Sequence, residues 1–261
     1  MTPLRHSAAH VFVADISAPH LDDDDQHHLA RVLRLRDGEQ VSASDGRGAW
    51  RMCEWHDGSL RTTGDVQHVP ASSQRVAVAF VPVKGDRPEW SVQKLTEIGV
   101  DEIIVLAPTR RAVVRWGDAK ASAKDDKHMQ KLQKVAREAS MQSRRVWLPI
   151  ITGPISLADA CARPGAAVAD PDGAPLAASA AAPTASATAS TAAPNASVAT
   201  TSSAAAPSLI IIGPEGGFDD DEIPASVARV SLGGTILRAE TATLVAATLL
   251  ANMRDRKEAS R

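Results

Sequence analysis

The sequence predicts an α/β protein with a parallel sheet, preceded by a smaller region rich in β-strands. Asp-Gly steps are the strongest short-range signal for a hairpin, and the first 60 residues contain three of them, at Asp37, Asp45 and Asp57. From residue 75 the pattern changes to an apolar strand, a helix and a second apolar strand, which together form a βαβ unit. We therefore expect two domains, residues 1–72 and residues 73–261.

The residues around the Asp-Gly steps predict short strands and one helix. "EQVSAS" and "AWRMCEW" have the length of strands, whereas "DDDDQHHLARVLRLRDG" has apolar residues at helical spacing. Asp24 or Asp25 would cap the start of this helix, and Gly38 lies just past its end. Its buried stripe would consist of Leu29, Val32, Leu33 and Leu35. This region is predicted to be a small barrel or sheet.

The remaining residues alternate between apolar strands and amphipathic helices. Pro88 suits the first turn of the first helix, and Gly99 suits its C-terminal cap. A strand in "VDEIIVLAPT" and a long helix in "KDDKHMQKLQKVAREASMQS" follow. The strands "AAVAD", "LIII" and "RVSLGG" and a last helix, "TATLVAATLLANMRDR", complete the pattern. Right-handed crossovers between such strands give a parallel sheet.

Residues 174–207 consist almost entirely of Ala, Ser, Thr and Pro. A segment of this composition cannot build a hydrophobic core, so we expect it to be disordered. The sheet needs "AAVAD" before it and "LIII" after it, and the segment is therefore predicted to be an insertion within one domain.

The composition is typical of a soluble globular protein, with 44% hydrophobic and 23% charged residues. The absence of any run of eighteen apolar residues argues against a membrane-spanning helix. The first thirty residues lack the apolar stretch of a signal peptide. Two distant cysteines, Cys53 and Cys161, favour a reduced, cytoplasmic location.

Residues 71–150 carry an excess of positive charge within a mildly acidic chain. They hold 15 Lys and Arg against 9 Asp and Glu, a net charge of +6, whereas the whole chain has a net charge of −2. A basic middle segment predicts local contact with a polyanion such as nucleic acid. Solvated helix faces would produce the same excess, so charge alone leaves both explanations open.

The stretch "LIIIGPEGGFDDDEI", residues 209–223, sets an apolar strand against a turn with three glycines. A phosphate-binding loop often includes a lysine, but five acidic residues lie in or after this turn, with no basic residue between 209 and 228. Charge repulsion therefore argues against a phosphate. Two interpretations remain. In one, Asp219 and Glu222 cap a strand-to-helix connection; in the other, the turn contacts a positively charged ligand such as S-adenosylmethionine.

A second glycine-containing loop, "LGGTILRAETATL" (residues 232–244), carries two long charged side chains. Arg238 and Glu240 follow a buried strand and precede the last helix, which Thr241 would cap. Charged groups at the carboxyl end of a buried strand are costly unless they are paired or functional. The two side chains would either pair with each other or take part in chemistry.

The sequence contains no pattern for a metal site or a hydrolase nucleophile. His27 and His28 are adjacent on the predicted helix and point in different directions. No His or Cys cluster has zinc-ligand spacing, and no GxSxG elbow occurs. We expect no metal cofactor.

Several segments resemble, in the same order, the RsmE family, the ribosomal small-subunit RNA uridine methyltransferases of the SPOUT superfamily. The two strongest segments are "IIIGPEGGF" and "VSLGGTILRAETA". The others are "HHLARVLRL", "KGDRPEWSVQKLTEIGVDEIIVL", "TRRAVV" and "REASMQSRRVWLP". The resemblance thus extends along nearly the whole chain, although Gly234 and Thr235 stand where the family pattern has Pro-Arg.

The resemblance implies a fold, an assembly and a reaction. The fold is a PUA-like RNA-binding β-barrel followed by an α/β methyltransferase domain with a deep C-terminal trefoil knot. The assembly is a homodimer with its cofactor sites near the subunit interface. The reaction is methyl transfer from S-adenosylmethionine to ring nitrogen 3 of one uridine in 16S rRNA of the small ribosomal subunit.

The resemblance also implies which residues act. The backbone around the cofactor would come from Gly213, Pro214, Glu215, Gly216, Gly217, Leu232, Gly233, Ile236, Leu237 and Arg238. RNA would be bound by His28, Arg31, Arg34, Lys84, Arg87, Arg110 and Arg111. For catalysis we expect Arg238 to stabilise the uracil oxygen as charge develops, and Glu240 to orient Arg238 or accept the proton.

Two other functions are compatible with the same residues. A non-catalytic ribosome-assembly factor would bind RNA without S-adenosylmethionine. A related SPOUT methyltransferase would act on another RNA, such as transfer RNA, although the barrel combined with "HHLARVLRL" argues against this alternative.

Overall fold

The first part of the chain forms a five-stranded sheet in a computed structural model that describes residues 3–116, 123–176 and 206–260. Its elements are helix α1 (Pro3–His6), strand β1 (Ala9–Phe12), helix α2 (Asp23–His27), and strands β2 (Gln40–Ser44), β3 (Ala49–His56), β4 (Ser59–Thr62) and β5 (Gln67–His68). β1 pairs in parallel with β2, whereas β3 pairs antiparallel with β2, β4 and β5. The predicted β-rich region is therefore present.

Helix α2 begins earlier than predicted. The N-cap is Asp22, so the expectation of Asp24 or Asp25 as the cap is wrong. The Asp22 carboxylate accepts a hydrogen bond from the N–H of Asp25 at 2.7 Å, which satisfies one of the free donors at the helix start. Asp25 is instead buried and binds a different partner, described below.

The apolar stripe predicted for this helix is only partly buried, because the helix continues from residue 28 as a π-helical turn, His28–Val32. A π-turn inserts an extra residue and breaks the 3.6-residue period on which the prediction rests. Leu29 is fully buried, and Leu35 packs beside the core around it. Val32 and Leu33 are exposed, contrary to the prediction.

Two of the three Asp-Gly steps join antiparallel strands. Asp57 and Gly58 form the two-residue turn between β3 and β4, with φ of 45° and 75°, as expected for such hairpins. Asp45 and Gly46 begin the connection between β2 and β3. The step at Asp37 precedes β2 and does not connect a hairpin.

The second part of the chain is a six-stranded parallel sheet with helices on both faces. Its elements are strand β6 (Ala77–Phe80), helix α3 (Arg87–Ile98), strand β7 (Glu102–Leu106), helix α4 (Ala123–Gln142), strand β8 (Ile150–Ile155), helix α5 (Leu157–Cys161), strands β9 (Ala166–Pro175), β10 (Leu209–Ile212) and β11 (Ala228–Ser231), and helix α6 (Ala239–Ala259). The strand order is β11-β9-β10-β6-β7-β8, and every pairing is parallel. The predicted α/β architecture is confirmed.

Alternate residues of the central strands pack into two hydrophobic layers. Ile210 and Val78 lie in the layer that includes Leu95 of α3, Leu132 of α4 and Leu250 of α6. Ile211 and the other side chains of opposite parity lie in the layer that includes α5. Strands buried on both faces explain why "LIII" reads as an unbroken apolar run.

Helix ends in this part were predicted with mixed success. Pro88 lies in the first turn of α3, and Gly99 caps its end in the left-handed conformation at φ 101°, both as predicted. The last helix begins at Ala239 and has Arg238 at its N-cap position. The prediction of Thr241 as the cap is wrong, because Thr241 already lies inside the first turn.

Of the predicted disordered insertion, residues 174–207, the structure describes residues 174–176 and 206–207. β9 runs to Pro175, and Leu176 is fully buried in the core. Residues 177–205 lie outside the described residues. The two cysteines are free and buried, and among the described helices none combines the length and apolar character needed to cross a membrane.

The N-terminal sheet is joined to α4 and the segment after it by buried polar contacts. Arg137 of α4 donates to both carboxylate oxygens of Asp25, at 3.0 and 2.5 Å, and to the carbonyl of Phe12 at 3.3 Å. His10 of β1 donates through Nε2 to the carbonyl of Arg145 at 3.0 Å. Its Nδ1 lies 2.8 Å from the hydroxyl of Ser42. Burial lowers the pKa of His10 to about 4.

Candidate functional site

Four loops that contain predicted site residues follow strands of the parallel sheet. They come after β6, β7, β10 and β11, and parallel strands place their carboxyl ends at one edge of the sheet. Ligands of open α/β sheets bind at this edge, in the crevice where the strand order changes direction. β10 and β6 are neighbours in the middle of the sheet although they are far apart in the chain. We call the edge of the sheet at which the strands end the carboxyl edge.

The glycine turn after β10, residues 213–217, is partly explained by its own packing. A side chain at Gly213 would press on the ring of Phe218 at 3.1 Å. Gly217 has φ of 71°, and its N–H donates to the carbonyl of Pro214 at 2.8 Å. Pro214 is buried, whereas residues 215–217 are exposed. The turn therefore holds its shape through local contacts and presents an exposed tip.

Arg87 connects the glycine turn to the start of the last helix. Its Nη1 donates to Oε1 of Glu215 at 2.9 Å and lies 3.6 Å from Oε1 of Glu240. Arg87 is the first residue of α3, directly after the loop that follows β6. One guanidinium thus links three chain segments at the carboxyl edge. The sequence predicts an RNA contact for Arg87 but not this link.

Arg238 and Glu240 do not pair with each other. Glu240 lies beside Arg87; its side chain is only 18% exposed, and its Oε2 is buried without a hydrogen-bond partner among the described residues. Arg238 is exposed, and within the described ranges its guanidinium forms no ion pair. The expectation that Glu240 orients Arg238 is therefore not met. Oε2 of Glu240 and the guanidinium of Arg238 are therefore available to a ligand.

The loop after β11 offers open backbone and an exposed apolar side chain. Around Gly233 and Gly234, no atom lies within 4 Å of the position that a Cβ would take. Ile236 is 88% exposed, whereas Leu232 and Leu237 pack partly against the core. Contacts among the described residues do not explain these two glycines or the exposed isoleucine.

The two arginines after β7 bind the acidic segment that follows the glycine turn. Arg110 donates to both oxygens of Asp221 at 2.6 Å. Arg111 lies 2.5 Å from Oδ1 of Asp219 and donates to the carbonyl of Gly216 at 2.8 Å. Hydrogen bonding to Arg110 lowers the pKa of Asp221 below its usual range. The acidic run, which argued against a phosphate, is thus paired with arginines that were expected to contact RNA.

The capping interpretation of the acidic run also holds in part. Oε2 of Glu222 accepts a hydrogen bond from the N–H of Asp219 at 3.0 Å, at the start of the 3₁₀ turn Asp220–Glu222. Oε1 of Glu222 accepts from the N–H of Arg110 at 3.0 Å. The segment therefore caps its own turn and anchors the loop after β7.

The predicted RNA contacts fall in two separate places. Lys84 and Arg87 lie in or directly after the loop following β6, and Lys84 is exposed. His28, Arg31 and Arg34 are exposed on or just after the π-helical turn of the N-terminal part. His28 lines a groove of about 1420 Å³ between this turn and α4, which also includes Ile150 at the start of β8. This groove lies toward the amino edge of the sheet, so one chain does not bring the two sets together.

Local sequence patterns do not predict the ion pairs and hydrogen bonds that join distant segments at the carboxyl edge. Arg87 and Glu240, or Arg111 and Gly216, are separated by more than one hundred residues. The only sequence signal for them is coarse: a basic middle segment in a chain with an acidic run near residue 220. Within the described residues, no three His, Cys, Asp or Glu side chains converge as metal ligands would.

Comparisons with known proteins match both parts of the chain. A family model described as RNA methyltransferase domain matches residues 70–251, and one described as RNA methyltransferase PUA domain matches residues 21–54. The "Ribosomal RNA small subunit methyltransferase E" of Mycobacterium bovis is 29% identical over 248 residues, which cover 92% of this chain and 88% of that protein.

Two solved structures are similar to the whole fold. A putative methyltransferase from Legionella pneumophila, in complex with S-adenosylmethionine, has a TM-score of 0.70 and 24% identity, and covers 93% of this chain and 96% of its own. Ribosomal RNA small subunit methyltransferase E from Neisseria gonorrhoeae, bound to the same cofactor, has a TM-score of 0.68 and 20% identity, with 94% and 97% covered. At these identities the likeness establishes a shared fold.

Proposed function

Because a family model covers residues 70–251, the chain belongs to the RNA methyltransferase family, and we propose that it methylates ring nitrogen 3 of a uridine in 16S rRNA. The methyl donor is S-adenosylmethionine, which when bound supplies an electrophilic methyl group on a sulfonium centre. The observation that carries the proposal is the carboxylate of Glu240. Its buried Oε2 has no partner among the described residues and lies at the edge that also holds the glycine turn.

The two glycine-containing loops suit this cofactor. An adenine ring and a methionine tail approach backbone closely only where side chains are absent. Gly233 and Gly234 leave such space, and the exposed side chain of Ile236 supplies apolar surface for a ring. The carboxylate of Glu240 adds negative charge, which favours a sulfonium over a phosphate. The backbone that we assign to the cofactor is that of residues 213–217, Leu232, Gly233, Ile236, Leu237 and Arg238.

Proton removal is the chemical problem that this site solves. Nitrogen 3 of uracil is protonated at neutral pH, so it becomes a nucleophile only when a base takes the proton. Oε2 of Glu240 accepts that proton, while Arg87 holds the other oxygen of the same carboxylate. Arg238 donates hydrogen bonds to a uracil oxygen as negative charge develops. The electron pair of nitrogen 3 forms the bond to the methyl carbon, and the pair of the carbon–sulfur bond leaves with sulfur.

The distance between the two sets of predicted RNA-binding residues supports a homodimer. His28, Arg31 and Arg34 lie in the N-terminal part, and the groove that His28 lines lies toward the amino edge, away from Glu240. A second copy of the chain would bring its own N-terminal part to the carboxyl edge of the first. In this arrangement Lys84 of one protomer and the π-helical turn of the other contact the same RNA, the 16S rRNA of a small subunit in the cytoplasm.

Incubation with labelled S-adenosylmethionine and under-methylated small subunits tests the proposal. We expect one methyl group, mapped by mass spectrometry to nitrogen 3 of a single uridine of 16S rRNA. A methyl group on another nucleotide would instead indicate a related enzyme with a different RNA target. RNA binding without cofactor binding in calorimetry would indicate a non-catalytic assembly factor and would overturn the proposal.

A further inference from the structure

Arg111, which the resemblance assigns to RNA binding, contacts the glycine turn directly. Its Nη1 donates to the carbonyl of Gly216 at 2.8 Å, and its Nη2 lies 2.5 Å from Oδ1 of Asp219. The guanidinium therefore connects the tip of the turn to the segment that follows it. Hydrogen bonds from a charged donor are about twice as strong as those between neutral groups, so this contact restrains the carbonyl at residue 216.

The aliphatic part of the same side chain covers the turn. A Cβ added at Gly216 would lie 3.3 Å from Cβ and Cδ of Arg111. The φ of Gly216 is not in the left-handed region, so backbone conformation does not require glycine at this position. A side chain at this position would meet Arg111 more tightly than an ordinary van der Waals contact, so Arg111 would have to move by a few tenths of an ångström.

Arg110, the neighbouring residue, provides a natural contrast. It has the same charge and a similar exposure, 58% against 54% for Arg111. Its guanidinium binds Asp221 and lies 3.8 Å from Oδ2 of Asp219, and its N–H donates to Glu222; all three residues lie beyond the glycine turn. Of these two arginines, only Arg111 bonds to residues 213–217.

We infer that Arg111 is a positioning residue for the cofactor turn rather than an RNA ligand. It fixes the carbonyl of Gly216 and holds the turn in the shape that receives S-adenosylmethionine, with Asp219 as the residue that orients its guanidinium. The inference rests on the proposed function, because it requires that the glycine turn contacts this cofactor. It reassigns Arg111 and leaves Arg110 available for RNA.

Calorimetric titration of S-adenosylmethionine into the full-length protein without RNA tests this role. We expect Arg111→Ala to weaken cofactor affinity about tenfold, the effect of losing one charged hydrogen bond that is partly solvated. Arg110→Ala, the matched control, keeps the affinity of the wild type. Arg111→Lys retains the charge but loses the planar two-nitrogen geometry, and its affinity should fall between those of the wild type and Arg111→Ala.

A double-mutant cycle distinguishes positioning from a general loss of stability. Asp219→Ala should weaken cofactor binding in the wild type but have no further effect when Arg111 is already alanine. The matched cycle of Asp221→Ala with Arg110→Ala should leave cofactor affinity unchanged throughout. Thermal unfolding of each variant, measured in parallel, identifies any variant that fails to fold.

The possible failures are distinguishable. If the wild type binds S-adenosylmethionine and Arg111→Ala binds it equally well, the positioning role is wrong while the proposed function stands. If Arg110→Ala weakens binding as much as Arg111→Ala, net charge rather than the contact to Gly216 controls affinity, and the inference is again wrong. If the wild type does not bind the cofactor, the proposed function and this inference are both overturned.

Discussion

The contact between the two sheets and the carboxyl edge of the parallel sheet use charged side chains in opposite ways. At the contact, Asp25 is only 7% exposed at its side chain, and both its oxygens bind Arg137. At the carboxyl edge, Glu240 has a buried oxygen without a hydrogen-bond partner, and Arg238 is exposed and forms no ion pair; both statements hold among the described residues. The carboxylate of Asp25 thus has both oxygens bonded, whereas the carboxylate of Glu240 has one oxygen left for a ligand.

This difference indicates which charges stabilise the fold and which act on a ligand. A buried acceptor without a hydrogen bond costs about 1–3 kcal/mol, and a site tolerates this cost where a ligand supplies the missing donor. A buried pair with all its bonds made gives the domains a defined arrangement instead. The comparison therefore predicts that substitutions in the first region change stability, and that substitutions in the second change activity.

Replacement of Glu240 should give the largest effect. Glu240→Gln preserves the shape of the side chain but removes the base, so we expect turnover to fall about a thousandfold, or about 4 kcal/mol. The unfolding temperature should stay near that of the wild type, because the buried Oε2 has no bond to lose and the amide oxygen of glutamine can still face Arg87. Single-turnover methylation and thermal unfolding measure the two quantities. Turnover within tenfold of the wild type would exclude Glu240 as the proton acceptor.

Replacement of Arg137 should give a comparable effect on stability rather than chemistry. Arg137→Met leaves the buried carboxylate of Asp25 unpaired, which should lower the free energy of unfolding by about 3 kcal/mol. Arg163→Met is the matched control: Arg163 makes a similar two-oxygen pair, but its partner Glu102 is more exposed than Asp25, 19% against 7%, and keeps a hydrogen bond from the hydroxyl of Thr152. Denaturant titration measures both variants. Equal losses for the two would show that the contact between the sheets is an ordinary surface pair.

Acidification should weaken the same contact through His10. The pKa of His10 is about 4 in the folded protein, against an ordinary value of 6.5, because burial disfavours the charged ring. Below pH 6.5 the unfolded chain binds a proton that the folded chain does not, so stability falls as the pH drops from 6.5 to about 4. At about 1.4 kcal/mol for each pKa unit, the loss approaches about 3 kcal/mol. The stabilising contribution is fully present above pH 6.5.

A substitution isolates this histidine from the carboxylates that also titrate at low pH. His10→Gln keeps a donor and an acceptor but removes the titrating ring, so its stability curve should be flatter between pH 6.5 and 4.5. Urea unfolding of the two proteins across this range gives the difference directly. Parallel curves for wild type and variant would show that His10 does not contribute.

The parts of the fold that sequence predicts are those set by near neighbours. Gly99 ends α3 because a left-handed residue is needed there, and the unbroken run "LIII" forms a strand buried on both faces. The helix after Asp22 was predicted less well, because its π-turn turns Val32 outward and this choice depends on packing against distant strands. The trefoil knot and the exact domain limits stay predictions.

The candidate site also has some features that the sequence predicts and others that it does not. Local pattern identifies the two glycine-containing loops, since turns and strand ends are read from adjacent residues. It does not identify the partner of Glu240, because Arg87 lies on a helix more than one hundred and fifty residues earlier. The family resemblance implies that Arg111 binds RNA, and the sequence does not predict that its guanidinium binds the carbonyl of Gly216. Long-range ion pairs leave no periodic signal in a sequence.

Replacement of Glu215, at the exposed tip of the glycine turn, should have the smallest effect on stability and turnover. It tests most directly whether an ion-paired charge at the carboxyl edge is functional. The pair of Glu215 with Arg87 is 2.9 Å long, but the two side chains are 61% and 42% exposed. Exposed ion pairs contribute about 0–1 kcal/mol, so Glu215→Gln should change the free energy of unfolding by less than about 0.5 kcal/mol. Turnover should also stay near that of the wild type, because Glu240 still accepts the proton. Calorimetry measures the S-adenosylmethionine affinity of this variant. A large loss would show instead that the side chain of Glu215 binds the cofactor, and that a paired carboxylate at this edge can be as functional as the unpaired oxygen of Glu240.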